Sequence, residues 1–163
     1  MKDIWIRYAG EDDLEQIYAL TDAAFGGKDE TQIIQRLDRD GDNLLSLVAH
    51  NDREILAHVQ FFPVLIDGAD IAAGFGPMSV APEHQRKGIG AGLLRFGLTL
   101  MEGAGRQMVF VLGHPDYYPR FGFDAEAAKP FEATWSGPAF MALRFGEGGP
   151  AGGALTYPAA FGA

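Results

Sequence analysis

Two rhythms of hydrophobic and polar positions alternate along the chain, and their order lays out most of the elements. Residues 4–8 predict a first strand. Over residues 11–25 the rhythm is helical, with Leu14, Ile17, Tyr18, Thr21, Ala24 and Phe25 on one face. Asp12 and Asp13 suit the start of that helix, and Gly26-Gly27 its stop. A second helix is expected over residues 29–39, burying Ile33, Ile34 and Leu37, with Gly41 just beyond its end. Residues 44–50 and 54–62 read as strands joined at Asn51-Asp52, and Asp67-Gly68 marks another hairpin turn. The next strand, 71–80, contains Gly74, Gly76 and Pro77, which predict a bulge or a missing ladder bond.

The clearest helix covers residues 87–103. Ile89, Leu93, Phe96 and Leu100 form an apolar stripe, widened by Leu94, Leu98 and Met101. Arg95, Thr99, Glu102 and Arg106 are expected on the solvated face. Residues 107–112 then read as a short buried strand of parallel type. Strand, helix and strand make a βαβ unit, and ligands of open α/β sheets gather at its carboxyl end. Residues 115–120 suit a short helix or turn. Residues 122–126 and 140–145 are expected to pair as the last two strands, around a loop at 127–139 that holds Trp135. From Gly146 the chain is rich in Gly, Ala and Pro, with room for one short strand at 155–157.

Composition narrows the function classes. A length of 163 residues suits one domain with a sizeable core. No apolar run approaches the roughly 20 residues that span a bilayer, and Met-Lys-Asp-Ile-Trp leads straight into folded-looking sequence without a signal-peptide core. The chain has no cysteine, so disulfides, thiolate nucleophiles and cysteine-based metal sites are excluded, and a cytoplasmic location is expected. The net charge is −9 without a basic patch, which argues against nucleic acid as partner. No membrane partner is expected, and a homodimer remains open. The four histidines show no His-x-x-x-His pair, so no metal is expected.

The chemistry concentrates at Val80-Ala81-Pro82-Glu83-His84-Gln85-Arg86-Lys87-Gly88-Ile89-Gly90-Ala91. This stretch runs from a strand end through a polar loop into a helix. The first helical turn offers N–H groups without partners and the positive end of the helix dipole. Glycines leave that backbone open, and Arg86 and Lys87 add full charges, so the stretch has the makings of a phosphate site. It is not a Walker loop, because no Gly-Lys-Ser or Gly-Lys-Thr occurs. Nor is it a dinucleotide fingerprint, which would need a third glycine where Leu93 stands. Gln85, Gly88 and Gly90 do fit Q/R-x-x-G-x-G/A. This resembles the acetyl-CoA pyrophosphate loop of the GNAT superfamily of N-acetyltransferases, and Met78-x-Val80-x-Pro82 resembles that family's approach to the loop. Tyr118-Pro119-Arg120-Phe121-Gly122-Phe123 resembles the Y-x-[KR]-x-G-F segment near the end of GNAT domains.

The resemblance covers residues 4–145. It implies a mixed α/β fold: a central mixed β-sheet flanked by helices, with a bulged strand splayed from the next parallel strand. Residues 1–145 would then form the acetyltransferase domain and 146–163 a Gly/Ala/Pro-rich tail. It implies acetyl-CoA as cosubstrate, an amine acceptor, and direct attack of that amine in a ternary complex. Backbone at Met78, Ser79 and Val80 would hold the thioester and pantetheine arm. Gln85, Arg86, Lys87, Gly88, Ile89, Gly90 and Ala91 would cradle the pyrophosphate. Tyr118 matches the family's tyrosine near the departing sulfur, which the resemblance casts as proton donor to the forming thiolate; a phenol with pKa about 10 stays protonated at neutral pH and can give that proton. Its alternative is a ring packed under the sheet. A general base is harder to place, because residues 71–80 carry no Asp or Glu. His114 follows the 107–112 strand and either accepts the amine proton or only hydrogen-bonds locally. His84 would cap the loop, while His50 and His58 read as strand residues without a catalytic role. Phe25, Phe131 and Trp135 fit either an apolar acceptor site or core packing. A fold that binds acyl-CoA without turnover, and a nucleotide-binding regulatory module, are the competing readings.

Overall fold

The computed structural model describes residues 3–162; Met1, Lys2 and Ala163, and with them the reading of the first two residues, lie outside the described residues. The elements are β1 (Trp5–Tyr8), α1 (Leu14–Phe25), α2 (Asp29–Arg39), β2 (Leu45–His50), β3 (Ile55–Ile66), β4 (Ala69–Val80), α3 (Ile89–Gly103), β5 (Met108–Leu112), α4 (Ala125–Ala128), β6 (Phe131–Glu132), β7 (Phe140–Arg144) and β8 (Gly153–Thr156). The strands form one mixed sheet in the order β1-β2-β3-β4-β5-β7, with β8 beside β3 and β6 beside β8. Pairing is antiparallel from β1 to β3 and between β5 and β7, and parallel between β4 and β5. This is the mixed α/β architecture that the sequence predicts. The chain divides into two compact units, one comprising the chain through Phe61 with Gly76–Leu98, the other Phe62–Phe75 with the chain from Thr99 onward.

In the first unit, α1 and α2 bury Ile17, Leu20 and Ile34 against Val48, Ile55 and Ala81. The buried face of α1 runs through Leu20 rather than Phe25, which sits in the last helical position before the Gly26 cap and is 47% exposed. The core face of α3 is also turned from the predicted stripe. Leu93, Leu94, Leu98 and Met101 are buried, whereas Phe96 is 44% exposed. The reason is Gly97. A Cβ there would lie 2.4 Å from a ring carbon of Phe61, so the helix turns its bare position to that ring.

The second unit is built around β5. Its Phe110 meets Phe131 edge-on at 5.2 Å and stacks on Phe140 at 5.8 Å. The β4–β5 ladder holds only Ala72–Gly74 against Met108–Phe110. Beyond it come Gly76, with φ at 140°, and Pro77, which has no N–H to donate. Arg106 is not on a solvated helix face. It follows α3, pairs with Asp70, and donates to the Ala72 carbonyl at 2.9 Å. The expected strand at 122–126 is also absent from the described residues. Asp124 instead caps α4 by accepting from the Glu126 N–H at 3.0 Å, and only an isolated bridge joins it to Ala142. Strand β7 pairs with β5 over five residue pairs.

The chain past Gly146 contributes β8. Leu65 and Ile66 of β3 pair with Thr156 and Leu155, and Phe131 and Glu132 of β6 with Gly153 and Ala154. Tyr157 and Phe161 then pack on Phe62 at 5.6 and 4.6 Å, and Tyr157 meets Trp135 at 4.5 Å.

Two predictions follow from this packing. A chain ending at Phe145 loses β8 and two rings of that cluster; it should melt well below the full chain or fail to remain soluble, and an unchanged melting temperature would refute this. The second concerns His58, which is fully buried, with burial pushing its imidazole down to about 4 from 6.5. Above pH 6.5 the ring is neutral in both folded and unfolded chains. Between 6.5 and about 4 only the unfolded chain takes the proton, so stability falls by up to about 3 kcal/mol as pH drops through that window. Denaturant unfolding from pH 7 to pH 4 should show this slope in the wild type and a shallower one in His58→Asn.

Candidate functional site

The phosphate-site candidates all fall in the first unit. Strand β4 ends at Val80, and a single 3-10 turn covers Pro82–His84. The Gln85 side-chain amide donates to the Val80 carbonyl at 3.0 Å, folding the loop back on the strand end. Arg86 and Gly88 both adopt positive φ, 65° and 82°. Glycine takes such a conformation without cost, and at Gly88 it brings the chain into the helix without a side chain in front of it. The Gly88 carbonyl accepts the first helical bond, from Gly92 at 3.1 Å. The N–H groups of Ile89, Gly90 and Ala91 are therefore in the first turn of α3 and lack intrahelical acceptors. Gln85, Arg86, Lys87 and Gly88 are exposed, and Ile89 to Ala91 partly so. A Cβ on Gly90 would lie 3.1 Å from a methyl of Val80. The result is an open cradle of backbone donors flanked by two cations, suited to the oxygens of a pyrophosphate.

Upstream, Met78 and Val80 are half-buried and Ser79 is buried. The Ser79 hydroxyl donates to Thr21 Oγ1 at 3.3 Å, so its side chain faces α1. Only main chain at this position remains to meet a ligand. His84 holds the turn through its backbone, donating to the Ala81 carbonyl at 2.8 Å.

Tyr118 and His114 belong to the second unit. Tyr118 opens a 3-10 turn, Tyr118–Phe121, which ends at Gly122 with φ 101°. Its ring is buried and lies against Gly113, where a Cβ would come within 2.6 Å of it. Phe75 at 5.6 Å, Tyr117 at 5.1 Å and Phe123 at 6.1 Å fix the ring edge-on. Burial, reinforced by Tyr117, pushes the phenol up to about 12. His114 is exposed, and its backbone carbonyl accepts from Tyr117 and Tyr118 at 3.1 and 3.3 Å. The two residues are thus tied through backbone. Of the aromatic acceptor candidates, Phe25 is exposed, Phe131 packs on Phe110, and Trp135 packs on Tyr157. No group of side chains able to hold a metal occurs among the described residues.

Sequence reasoning passed over one cluster. His58 and Gln60 are buried polar residues on β3, linked to Ser46 and Asp38 respectively. The available signal was a pair of polar residues two apart in an otherwise apolar strand.

A family model described as an acetyltransferase (GNAT) domain matches residues 5–125. The chain therefore belongs to the GNAT acetyltransferase family. Escherichia coli YjhQ, named an uncharacterized N-acetyltransferase, is 33% identical over 117 residues, which span 69% of this chain and 65% of YjhQ. A GNAT family acetyltransferase from Brucella melitensis, solved in complex with acetyl-CoA, is 37% identical, with a TM-score of 0.83 over 99% of both chains. E. coli YhbS, solved in complex with CoA, is 29% identical, with a TM-score of 0.91 over 100% of this chain and 94% of that one.

The loop geometry generates a prediction. Gly90→Val adds bulk where only 3.1 Å separates a Cβ from Val80, and it covers the donors of the first turn. Acetyl-CoA should raise the melting temperature of the wild type by mass action but leave this variant unmoved, and dephospho-CoA should retain most of the wild-type effect. Absence of a ligand-dependent rise in the wild type at millimolar concentration would overturn the assignment of this loop.

Proposed function

We propose that the protein transfers the acetyl group of acetyl-CoA to a primary amine of a small molecule or peptide, by direct attack of the amine in a ternary complex. The observation that carries this is the open Gln85–Ala91 cradle at the head of α3, in a chain whose similar structures hold acetyl-CoA or CoA. On this reading the N–H groups of Gly88 to Ala91, with Arg86 and Lys87, neutralise the pyrophosphate. Each hydrogen bond to a charged oxygen contributes about 1.5–3 kcal/mol. Main chain at Met78 to Val80 holds the thioester arm and polarises its carbonyl.

The acceptor must attack as the neutral amine, a form that makes up about one in 2,500 of an ordinary lysine-like amine at pH 7. The C–N bond forms as the C–S bond breaks, the nitrogen loses a proton, and the sulfur gains one. Tyr118 serves the sulfur. A phenol pushed up to about 12 is a weak acid. Full transfer to a thiolate with pKa near 8.5 would be uphill by roughly 5 kcal/mol. Its hydrogen bond therefore strengthens as charge develops on sulfur, and its proton crosses to sulfur only as the proton released by the amine, relayed from the base, replaces it, so that no free phenolate forms. His114, exposed on the following loop, is the side chain we assign to take that amine proton, directly or through water. A cytoplasmic setting agrees with a chain without cysteine. No helix among the described residues is long and apolar enough to cross a membrane.

Tyr118→Phe tests the assignment, since it keeps the ring on Gly113 and removes the hydroxyl. With a screened amine acceptor, kcat should fall about 10²-fold or more while acetyl-CoA affinity is retained. Tyr117→Phe should be milder. Because Tyr118 is pushed up to about 12, its ionisation should produce no basic limb in the pH–rate profile below about pH 11. Near-wild-type turnover in Tyr118→Phe would remove it from the mechanism and leave water as the proton source.

A further inference from the structure

Strand β1 ends the sheet: among the described residues it pairs only with β2. Trp5 lies opposite His50 and Arg7 opposite Val48, and the ladder runs on to Ala9, whose N–H donates to the Ser46 carbonyl at 2.9 Å. In an antiparallel ladder, residues that bond the neighbouring strand alternate with residues whose N–H and C=O point away from it. Trp5, Arg7 and Ala9 therefore bond β2, while Ile6 and Tyr8 turn their backbone groups to the open edge. The Tyr8 carbonyl agrees with this, because it accepts from the Arg7 guanidinium at 3.1 Å rather than from β2.

Proteins usually blunt a sheet edge with proline, a bulge or an unpaired charge. Residues 4–8 hold no proline, and the β1–β2 register is unbroken. Their one charge, Arg7, is neutralised by Asp13, whose two carboxylate oxygens accept from it at 2.6 and 2.8 Å. Along the edge Ile4, Trp5 and Tyr8 are 43%, 50% and 65% exposed. Such an edge accepts a further strand through its main chain.

The strand that fits is its own copy. About a two-fold axis at Ile6, an antiparallel neighbour sets Ile6 against the partner's Ile6, Trp5 against the partner's Arg7, and Ile4 against the partner's Tyr8. Ile6 then exchanges both outward backbone bonds with its counterpart. On one face each Trp5 ring meets a guanidinium that Asp13 grips by its N–H edge, which leaves the guanidinium plane for stacking. The other face brings isoleucine and tyrosine together. Sliding the register by two residues one way sets Arg7 against itself, and sliding it the other way carries Tyr8 past Ile4.

We propose that the β1 edge is a dimer interface, joining two copies of this chain antiparallel through residues 4–8 with Ile6 on the two-fold axis. The interface does not depend on the acetyl-transfer reading.

Sedimentation equilibrium of the full chain tests it, at about 0.15 M salt, where repulsion between two chains of net charge −9 is screened beyond about 8 Å. The wild type should show a monomer–dimer equilibrium. Ile6→Pro removes the outward N–H and spares the bonds to β2, and Tyr8→Lys puts an unpaired charge on the edge. Each should weaken the dimer tenfold or more, while Phe96→Ser, on the exposed side of α3, should leave it unchanged. The chain has no cysteine, so single cysteines report the register under mild oxidation. Ile6→Cys should cross-link into a covalent dimer, since opposed Cα atoms about 5.5 Å apart suit a disulfide. Trp5→Cys and Phe96→Cys should cross-link far more slowly. Tyr8→Lys, at an exposed position, and the cysteine series decide the matter if Ile6→Pro does not fold. A wild type that stays monomeric at millimolar concentration would overturn the proposal. So would a dimer that Tyr8→Lys leaves intact, or one that cross-links faster through Trp5→Cys than through Ile6→Cys.

Discussion

The absence of a side chain at a few glycines governs how closely the layers of each unit approach. At Gly97 a Cβ would fall 2.4 Å from Phe61, at Gly74 2.5 Å from Phe62, and at Gly113 2.6 Å from Tyr118. In each case an aromatic ring occupies the space a larger residue would need. The first contact sets how α3 lies on β3, and so fixes where the head of that helix emerges. The third holds Tyr118 by its ring rather than by its oxygen. Interiors packed at crystal-like density pass such choices on, because a shift of even one methylene has nowhere to dissipate.

The two candidate chemical features rest on opposite electrostatic strategies. At the head of α3 the donors are main chain, the surface is open, and the positive potential comes from unpaired N–H groups, Arg86 and Lys87. Side-chain identity matters little there beyond keeping bulk away. Around Tyr118 the polar group is wrapped in Phe75, Phe121 and Phe123, and desolvation keeps the phenol protonated. On the proposed reading, the first strategy suits a fixed charge and the second a charge that develops only during reaction.

The parts of this architecture legible in the sequence are those specified locally. Asp67-Gly68 makes its hairpin turn, Gly26 ends α1, and the Gln85–Gly90 pattern forms its loop, because each depends on neighbouring residues. What escaped depends on distant partners. Phe96 fits a helical stripe as well as Leu94 does, and only the ring of Phe61 opposite Gly97 decides which side faces in. Residues 122–126 alternate like a strand, yet only Asp124 bridges β7, at Ala142, and its side chain caps a helix that starts at the next residue. His58 reads as a strand residue without a role because periodicity reports which face a side chain takes, not whether its polar atoms find partners.

The turn at Asp67 carries a further consequence. Its N–H donates to the Ala154 carbonyl at 2.9 Å, and its carboxylate accepts from the Ala154 N–H at 2.9 Å. Gly153 leaves only 2.6 Å between a would-be Cβ and the same carboxylate. Hairpin tips are ordinarily where a polypeptide tolerates foreign insertions or new ends. Here the tip is a docking point for the chain's own end, so a circular permutant opened at residues 67–68 would lose the clamp that seats β8. Permissive splice points belong in turns such as Asn51-Asp52, whose Asn51 carboxamide oxygen accepts from the N–H groups of Arg53 and Glu54 and closes the turn on itself.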